Sequence, residues 1–369
     1  MRVPFIDLPA QWDAIGAEIM AAIEPVLRSA RFVMGPAVAQ FEEEAAAYCE
    51  AKHAIGCGNG TEAILLALMA HGIGPGDEVI VPSFTFFATA APVSRLGGIP
   101  VFGDVSMETF NLLPSEIERL RTDRTKAVIP VHQYGQPCEL EEIHAICGEH
   151  GLLLIEDAAQ AIGSRYKGRR IGSDWGSVAT YSFFPSKNLS AMGDGGMMTT
   201  NDDELAHKLR LLRVHGSEKH YYHEMLGINS RLDSIQAAAL SIKLRYLDQW
   251  NEARRRNATR YDDEFAGVDG IVTPTVLAEC ESNLNLYTVR ILDGQRDRLR
   301  LELAGKDIGV ETYWPVPLHL QECFADLGYK RGDLPNSEQL CEEVLSLPVY
   351  PEMTVDQQGF VIESIKAAL

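Results

Sequence analysis

Between residues 60 and 200 one pattern repeats along the chain. A short, almost wholly apolar run is followed by a stretch whose apolar positions recur at helical spacing. The apolar runs are DEVIVPSF, IPVFGDV, KAVIPVHQYG, GLLLIEDAA, VATYSFF and GGMMTTND. Runs that are apolar throughout, rather than at every second position, belong to strands buried on both faces. They predict a mostly parallel sheet with helices on either side, an α/β core. Ligands of such sheets gather at the carboxyl ends of the strands, where Phe86, Asp157 and Lys187 fall.

From 232 to 262 the chain reads LDSIQAAALSIKLRYLDQWNEARRRNATRYD, with no glycine or proline. This predicts a single long helix leading out of the core. Beyond it, NLYTVRIL and VETYWPV read as strands ahead of a helical tail, which predicts a smaller α+β domain. The division expected is a large domain over 1–250 and a small one over 251–369, with the first 25 or so residues packing on the small domain.

Composition narrows the function classes. Hydrophobic residues make up 46% of the 369 positions and charged ones 23%, the balance of a globular protein. A net charge of −19 argues against a nucleic-acid partner, which needs a basic face to displace counterions. An anionic ligand must then be held by local groups. The seven cysteines form no C-x-x-C pair and are odd in number, which favours a reduced protein over a disulfide scaffold. MRVPFIDLPAQW lacks the apolar core of a signal peptide and no run is long enough to span a bilayer, so the expected location is the cytoplasm, with no membrane partner.

Three stretches carry candidate chemistry. In SFFPSKNLSAMGDGG, 182–196, Lys187 stands just past a strand predicted to be buried. Burial lowers a lysine's basicity and makes it a nucleophile. In GCGNGTEAILLALMAHG, 56–72, glycines precede a helix that opens at Thr61, and free N–H groups at a helix N-terminus suit a phosphate. The dinucleotide fingerprint needs a glycine where Thr61 stands, and the Walker lysine is absent. The plainer alternative is a turn with Thr61 as N-cap. In LLLIEDAAQAIG, 152–163, Asp157 ends a strand and wants a cationic partner; an N-cap or a metal ligand are the other readings, although no histidine or cysteine lies at ligand spacing. Pyridoxal phosphate unites the three. It needs a lysine, an acid on its pyridine nitrogen and donors for its phosphate, which Lys187, Asp157 and the Gly60–Thr61 turn supply. Phe86 is placed either to stack on its ring or to fill the core.

FIDL, GPAVAQFEEEAA, GNGTEA, GPGDEVIVPSFTFFATA, PVHQYGQP, IEDAAQAIG, SFFPSKNL, GDGG, RVHG, GINSRLDSIQAA and LSLPVYPEM together resemble the DegT/DnrJ/EryC1/StrS family of nucleotide-sugar aminotransferases. The resemblance runs end to end. It implies the fold type I architecture, with a mostly parallel seven-stranded sheet and a small C-terminal domain. It also implies Lys187 as the cofactor's covalent anchor and proton carrier, Asp157 on the pyridine nitrogen, and Gln160 on the ring hydroxyl. The phosphate would be held by Gly60, Thr61, Ser182 and, from the partner subunit, Asn229, which requires a homodimer. Phe86 would be the stacking aromatic. The donor implied is L-glutamate, the acceptor a keto sugar on UDP, dTDP or GDP, and the cofactor alternates between pyridoxal and pyridoxamine phosphate.

One branch of the family carries histidine in place of the lysine and dehydrates its substrate; Lys187 favours transamination. Asn229-Ser230-Arg231 resembles the tripeptide of enzymes that aminate C3, including those acting on a UDP-linked 3-keto-hexuronate, where Arg231 would meet either the sugar carboxylate or an acid at an interface. The alternatives are a lyase or dehydratase on the same fold and cofactor, or a non-catalytic sensor. The loop RVHGSEKHYYH, 213–223, with His215, is expected to cover the site and clamp the diphosphate, and no metal site is expected from its H-x-x-H. His319 in WPVPLHLQ is either a substrate contact or a structural histidine.

Overall fold

The computed structural model describes residues 1–219 and 221–369. Seven strands form the main sheet: β1 His53–Cys57, β2 Glu78–Pro82, β3 Ile99–Gly103, β4 Thr125–Val128, β5 Leu153–Asp157, β6 Val178–Ser182 and β7 Gly196–Thr200. Their order is β1-β7-β6-β5-β4-β2-β3. All contacts from β6 through β5, β4 and β2 to β3 are parallel, while β7 runs antiparallel to both its neighbours. The expected α/β core is therefore present, and it carries one strand, β1, that the apolar runs did not announce.

The continuous apolar runs have a direct cause in packing. Ile80, Val128, Leu154, Ala179 and Met197 point into a core shared with α2 (Pro36–Tyr48) and the helix Ser234–Leu244. Val79, Val81, Ala127, Ile155 and Met198 point to the other face, onto the helices Gly60–Ala70 and Asp203–Leu212. Both faces are dry, so both registers of each strand are apolar.

The C-terminal part has its own three-stranded antiparallel sheet, Ile271–Val272, Tyr287–Ile291 and Val344–Leu347. Val289, Ile291, Leu345 and Leu347 pack there against Tyr261, Leu299, Val361 and Ile365. Of the N-terminal segment only the first residues reach this core, with Val3 buried in it and paired to Ile308. Helix α1 (Leu8–Ser29) instead lays Ile15, Ile19, Ile23 and Val26 on Ala238, Ala239 and Ile242. Its apolar stripe matches the small side chains of that helix, which corrects the expected packing of the first 25 or so residues.

Two further expectations change. The long helix over 232–262 is two helices, Ser234–Leu244 and Leu247–Phe265. Between them Arg245 and Tyr246 donate to carbonyls three residues back, Ile242 and Lys243, at 3.2 and 3.0 Å. The tightened turn changes the chain's direction without glycine or proline. VETYWPV is not a strand; only Glu311 pairs, with Ser346. The rest is a loop whose Tyr313 and Trp314 reach the main cavity. No helix among the described residues is long and apolar enough to cross a membrane.

Candidate active site

A cavity of about 580 Å³ opens at the carboxyl ends of β5 and β6. Lys187, Asp157, Gln160, Ser182, Gly60, Thr61 and Phe86 all line it. Arg231, His215, His319 and Asn229 do not.

Asp157 is the last residue of β5, and its backbone still pairs with Val131 across the strand end. The carboxylate is buried. Oδ2 accepts from the Thr89 hydroxyl at 2.8 Å and Oδ1 from the Ala159 N–H at 3.1 Å. Burial raises its pKa, opposed by those two donors and by the charges of Lys187 and His132. The carboxylate thus keeps a need for a cation.

Lys187 follows β6 by five residues, on a turn closed by its own N–H to the Phe184 carbonyl at 2.8 Å. Its side chain is partly open to the cavity, but the surrounding protein desolvates the ammonium and pulls its pKa down to about 8, while Asp157 pulls it back up. The turn is held from behind by asparagines. Asn188 Nδ2 donates to Asn251 Oδ1 at 2.7 Å and to the Asn283 carbonyl at 2.8 Å. Asn285 Nδ2 donates to Asn188 Oδ1 at 2.9 Å. Side chains from the C-terminal part therefore fix the residue next to Lys187.

One end of the cavity is built by the N-terminus of α3 (Gly60–Ala70). Its N-cap is Asn59, whose Oδ1 accepts the Glu62 N–H at 2.9 Å. Thr61 is therefore not the cap. The N–H groups of Gly60 and Thr61 have no acceptor in their own helix. A Cβ on Gly60 would lie 2.7 Å from Ser182 Cβ, so glycine is what lets the helix end approach β6 and makes a cradle there. The donor set, the lysine and the buried acid fit pyridoxal phosphate.

Phe86 is 54% exposed, which excludes a core role; it leans on Trp314 with ring centroids 5.2 Å apart. Gln160 Oε1 accepts the Tyr134 N–H at 2.6 Å, and its amide nitrogen has no partner among the described residues. His319 is a correction. It is buried, with Nδ1 2.7 Å from Ser83 Oγ and Nε2 3.1 Å from Glu338 Oε1, and burial lowers its pKa. Both ring nitrogens are occupied by the scaffold, so its role is structural. Arg231 is half-buried and His215 exposed, both outside the cavity of this chain. His223 Nδ1 donates to the His215 carbonyl at 3.0 Å, and the third histidine of that loop, His220, lies outside the described residues.

The sequence reading missed Thr89, Arg95, Asp194, Asn285, Tyr313 and Trp314. Thr89 and Asp194 were within quoted motifs, FATA and GDGG, as polar residues in apolar or glycine-rich surroundings. Asn285, Tyr313 and Trp314 lay within NLYTVRIL and VETYWPV, read only as strands, and they and Arg95 reach the cavity through tertiary packing.

The family model described as "DegT/DnrJ/EryC1/StrS aminotransferase family" matches residues 13–366. The chain is 51% identical to a "Pleiotropic regulatory protein" of Geobacillus stearothermophilus, covering 99% of this chain and 98% of the relative. It is 45% identical to the "dTDP-3-amino-3,4,6-trideoxy-alpha-D-glucose transaminase" of Streptomyces venezuelae, covering 99% and 96%. The crystal structure of S. venezuelae DesV in complex with a ketimine intermediate superposes with a TM-score of 0.96 at 45% identity, covering 99% of this chain and 98% of that one.

Proposed function

We propose, for a chain that belongs to the DegT/DnrJ/EryC1/StrS aminotransferase family, the amination of C3 of a nucleotide-linked keto sugar with L-glutamate as donor. The enzyme is a pyridoxal-phosphate-dependent aminotransferase whose relatives act on nucleotide sugars. The position and the sugar are the finer part of the reading. The Asn229-Ser230-Arg231 tripeptide and the 3-amino product in the transaminase's name support C3. Because Arg231 lies outside this chain's cavity, a hexuronate carboxylate would have to meet the partner subunit's Arg231. A UDP-linked 3-keto-hexuronate and a dTDP-linked 3-keto deoxy sugar are the two acceptors to screen first.

When bound, pyridoxal phosphate supplies an aldehyde for an amine and a ring that accepts the electron pair of the bond broken beside it. The residues do the rest. Lys187 offers an amine that is about half neutral near pH 8 and able to lift a proton and return it within the same cavity. Asp157, whose burial raises its pKa while the donors Thr89 and Ala159 favour its charged form, would keep a positive charge on a ring nitrogen placed against it. Gly60, Thr61 and Ser182 would hold the phosphate, with the partner subunit's Asn229 as a further donor. Gln160 would meet the ring hydroxyl through its unpartnered amide, and Phe86 would be the aromatic beside the ring. Tyr313 and Trp314 wall the cavity from the C-terminal part and limit water.

The observation that carries the reading is Lys187 and Asp157 facing one cavity, the lysine's pKa lowered to about 8. A purely sensory protein has no use for such a lysine. The test is the absorption spectrum of the purified holoenzyme before and after excess L-glutamate, with Lys187→Ala alongside. The visible band is expected to convert to the near-ultraviolet band of the pyridoxamine form, and Lys187→Ala to lose the response. A visible band indifferent to glutamate would overturn transamination in favour of a lyase or dehydratase.

A further inference from the structure

One wall of the cavity is left without a task by the residues above. The lining holds two cations, Lys187 and Arg95, against three carboxylates, Glu62, Asp157 and Asp194. Arg95 is exposed and ends the short helix Ala91–Arg95, which packs on α3. Among the described residues no carboxylate forms an ion pair with its guanidinium and no carbonyl accepts from it. Elsewhere among the described residues Arg165, Arg169 and Arg170 each meet an acid, and the arginines without an ion pair, such as Arg31, Arg256 and Arg300, stand outside this cavity, whose lining holds Arg95 as its one arginine. An arginine left alone on a cavity wall, in a protein of net charge −19, marks the place where an anion can be held. The bland explanation, a basic residue favoured at a helix C-terminus, is weak for five residues whose carbonyls the guanidinium does not touch.

The position on the wall selects among anions. Arg95 lines the cavity with Thr61, Glu62, Ile64 and Ala88, on the α3 side, whereas Asp157, Ser186 and Lys187 close it from the strand ends. Glutamate must bring its amino group to Lys187 and is short. A nucleotide sugar also reacts at Lys187, but carries its charge in a diphosphate several bonds from the ketone. A planar guanidinium fork matches phosphate oxygens two at a time. Resting on the aminotransferase reading above, we infer that Arg95 binds the diphosphate of the nucleotide-sugar acceptor and sets the affinity for the acceptor rather than for glutamate.

The test uses the holoenzyme and its Arg95→Met and Arg95→Lys variants, with UDP, dTDP and GDP as probes in titration calorimetry. Binding of the preferred nucleotide is expected to weaken at least about tenfold in Arg95→Met, as for loss of a charge-assisted hydrogen bond. Arg95→Lys should restore part of it, and raising salt should weaken the unsubstituted enzyme more than Arg95→Met. The glutamate concentration that half-converts the absorption band should shift less than about twofold. The inference is overturned if the unsubstituted enzyme binds none of the three nucleotides, or if Arg95→Met binds them equally well. It is overturned too if the loss falls on glutamate titration or cofactor retention, which would give Arg95 to the donor carboxylate or the cofactor's phosphate. Failure of the transaminase reading itself shows separately, as an unsubstituted enzyme whose band ignores glutamate.

Discussion

At the scale of single residues the site rests on two groups shifted toward each other. Desolvation pushes the Lys187 pKa down to about 8 and raises that of Asp157, and each charge partly relieves the other. The sign gives a titration to look for. In the cofactor-free protein, carbon NMR of reductively methylated lysines should show two signals with midpoints near 8, one from Lys243, which burial also lowers, and one from Lys187 that is absent in Lys187→Ala. Below that pH the amine is protonated and no longer a nucleophile. Because the Asp157 charge holds the value up, Asp157→Asn should move the midpoint lower still. An unshifted midpoint would show that burial alone sets the value, and a rising one that Asp157 does not act on the lysine as an opposite charge. Thr89 is a positioning residue on the far side of Asp157, donating to its charged form at 2.8 Å. Thr89→Val should raise the Asp157 pKa further and lower kcat by about 10- to 100-fold, the worth of about 1.5–3 kcal/mol for a hydrogen bond to a charge. KM for glutamate should change little, and Thr89→Ser should recover most of the rate. Lys187 and Asp157 were legible in the sequence because each closes an apolar run, and a strand end is a place that local pattern can locate. Thr89 and Arg95 were not, since what singles them out is a partner, or the lack of one, at long range. His319 shows the opposite failure: a histidine beside prolines invites a functional reading until Ser83 and Glu338 are found on its two nitrogens.

At the scale of elements the cavity depends on how closely α3 meets β6 and on how firmly the Lys187 turn is held. Gly60→Ala places a methyl carbon 2.7 Å from Ser182 Cβ, and relieving that contact moves the helix start away from the strand. Overpacking of this kind costs about 1–3 kcal/mol. We expect Gly60→Ala to fold, with unchanged far-ultraviolet dichroism, yet to lose cofactor on dialysis that the unsubstituted enzyme survives; full retention would remove the cradle from the account. Asn251→Leu leaves one Asn188 N–H without its acceptor behind the lysine. A buried unsatisfied donor costs about 1–3 kcal/mol, so melting should fall and kcat should drop more than KM rises, since the lysine turn is what loosens. The parallel strands were readable because burial on both faces leaves an apolar signature in every register. β1, HAIGC, was not, being five residues with a glycine and a histidine at the sheet edge. The break after Leu244 leaves no mark in the sequence because a tightened last turn needs no special residue. VETYWPV failed as a strand because its aromatic residues serve a cavity wall, and aromatic content alone does not separate the two.

Over the whole molecule the surface carries apolar side chains that one chain leaves uncovered. Large apolar side chains stand exposed in several places: Phe184 at 54%, Met192 at 48%, Val33 at 51% and Leu226 at 93%. Two of these flank Lys187 in sequence, and Leu226 lies three residues before Asn229. Side chains so exposed near a catalytic segment suit an interface, and Asn229 itself is exposed and outside its own chain's cavity. If the partner subunit's Asn229 completes the phosphate cradle, every site draws Lys187 from one chain and Asn229 from the other. Two variants that each spoil one element should then complement. Lys187→Ala has no amine, and Asn229→Asp sets a negative charge against a phosphate, so each alone should be nearly inactive. In a mixed dimer one of the two sites combines the intact Lys187 of the second variant with the intact Asn229 of the first. Equal co-refolding makes half the dimers mixed, each with one sound site, so about a quarter of the normal activity should return. Sedimentation would verify that the mixture is dimeric. Activity that stays at the sum of the two parents in such a dimer would mean that Asn229 serves its own chain or none, and that the cradle is complete with Gly60, Thr61 and Ser182.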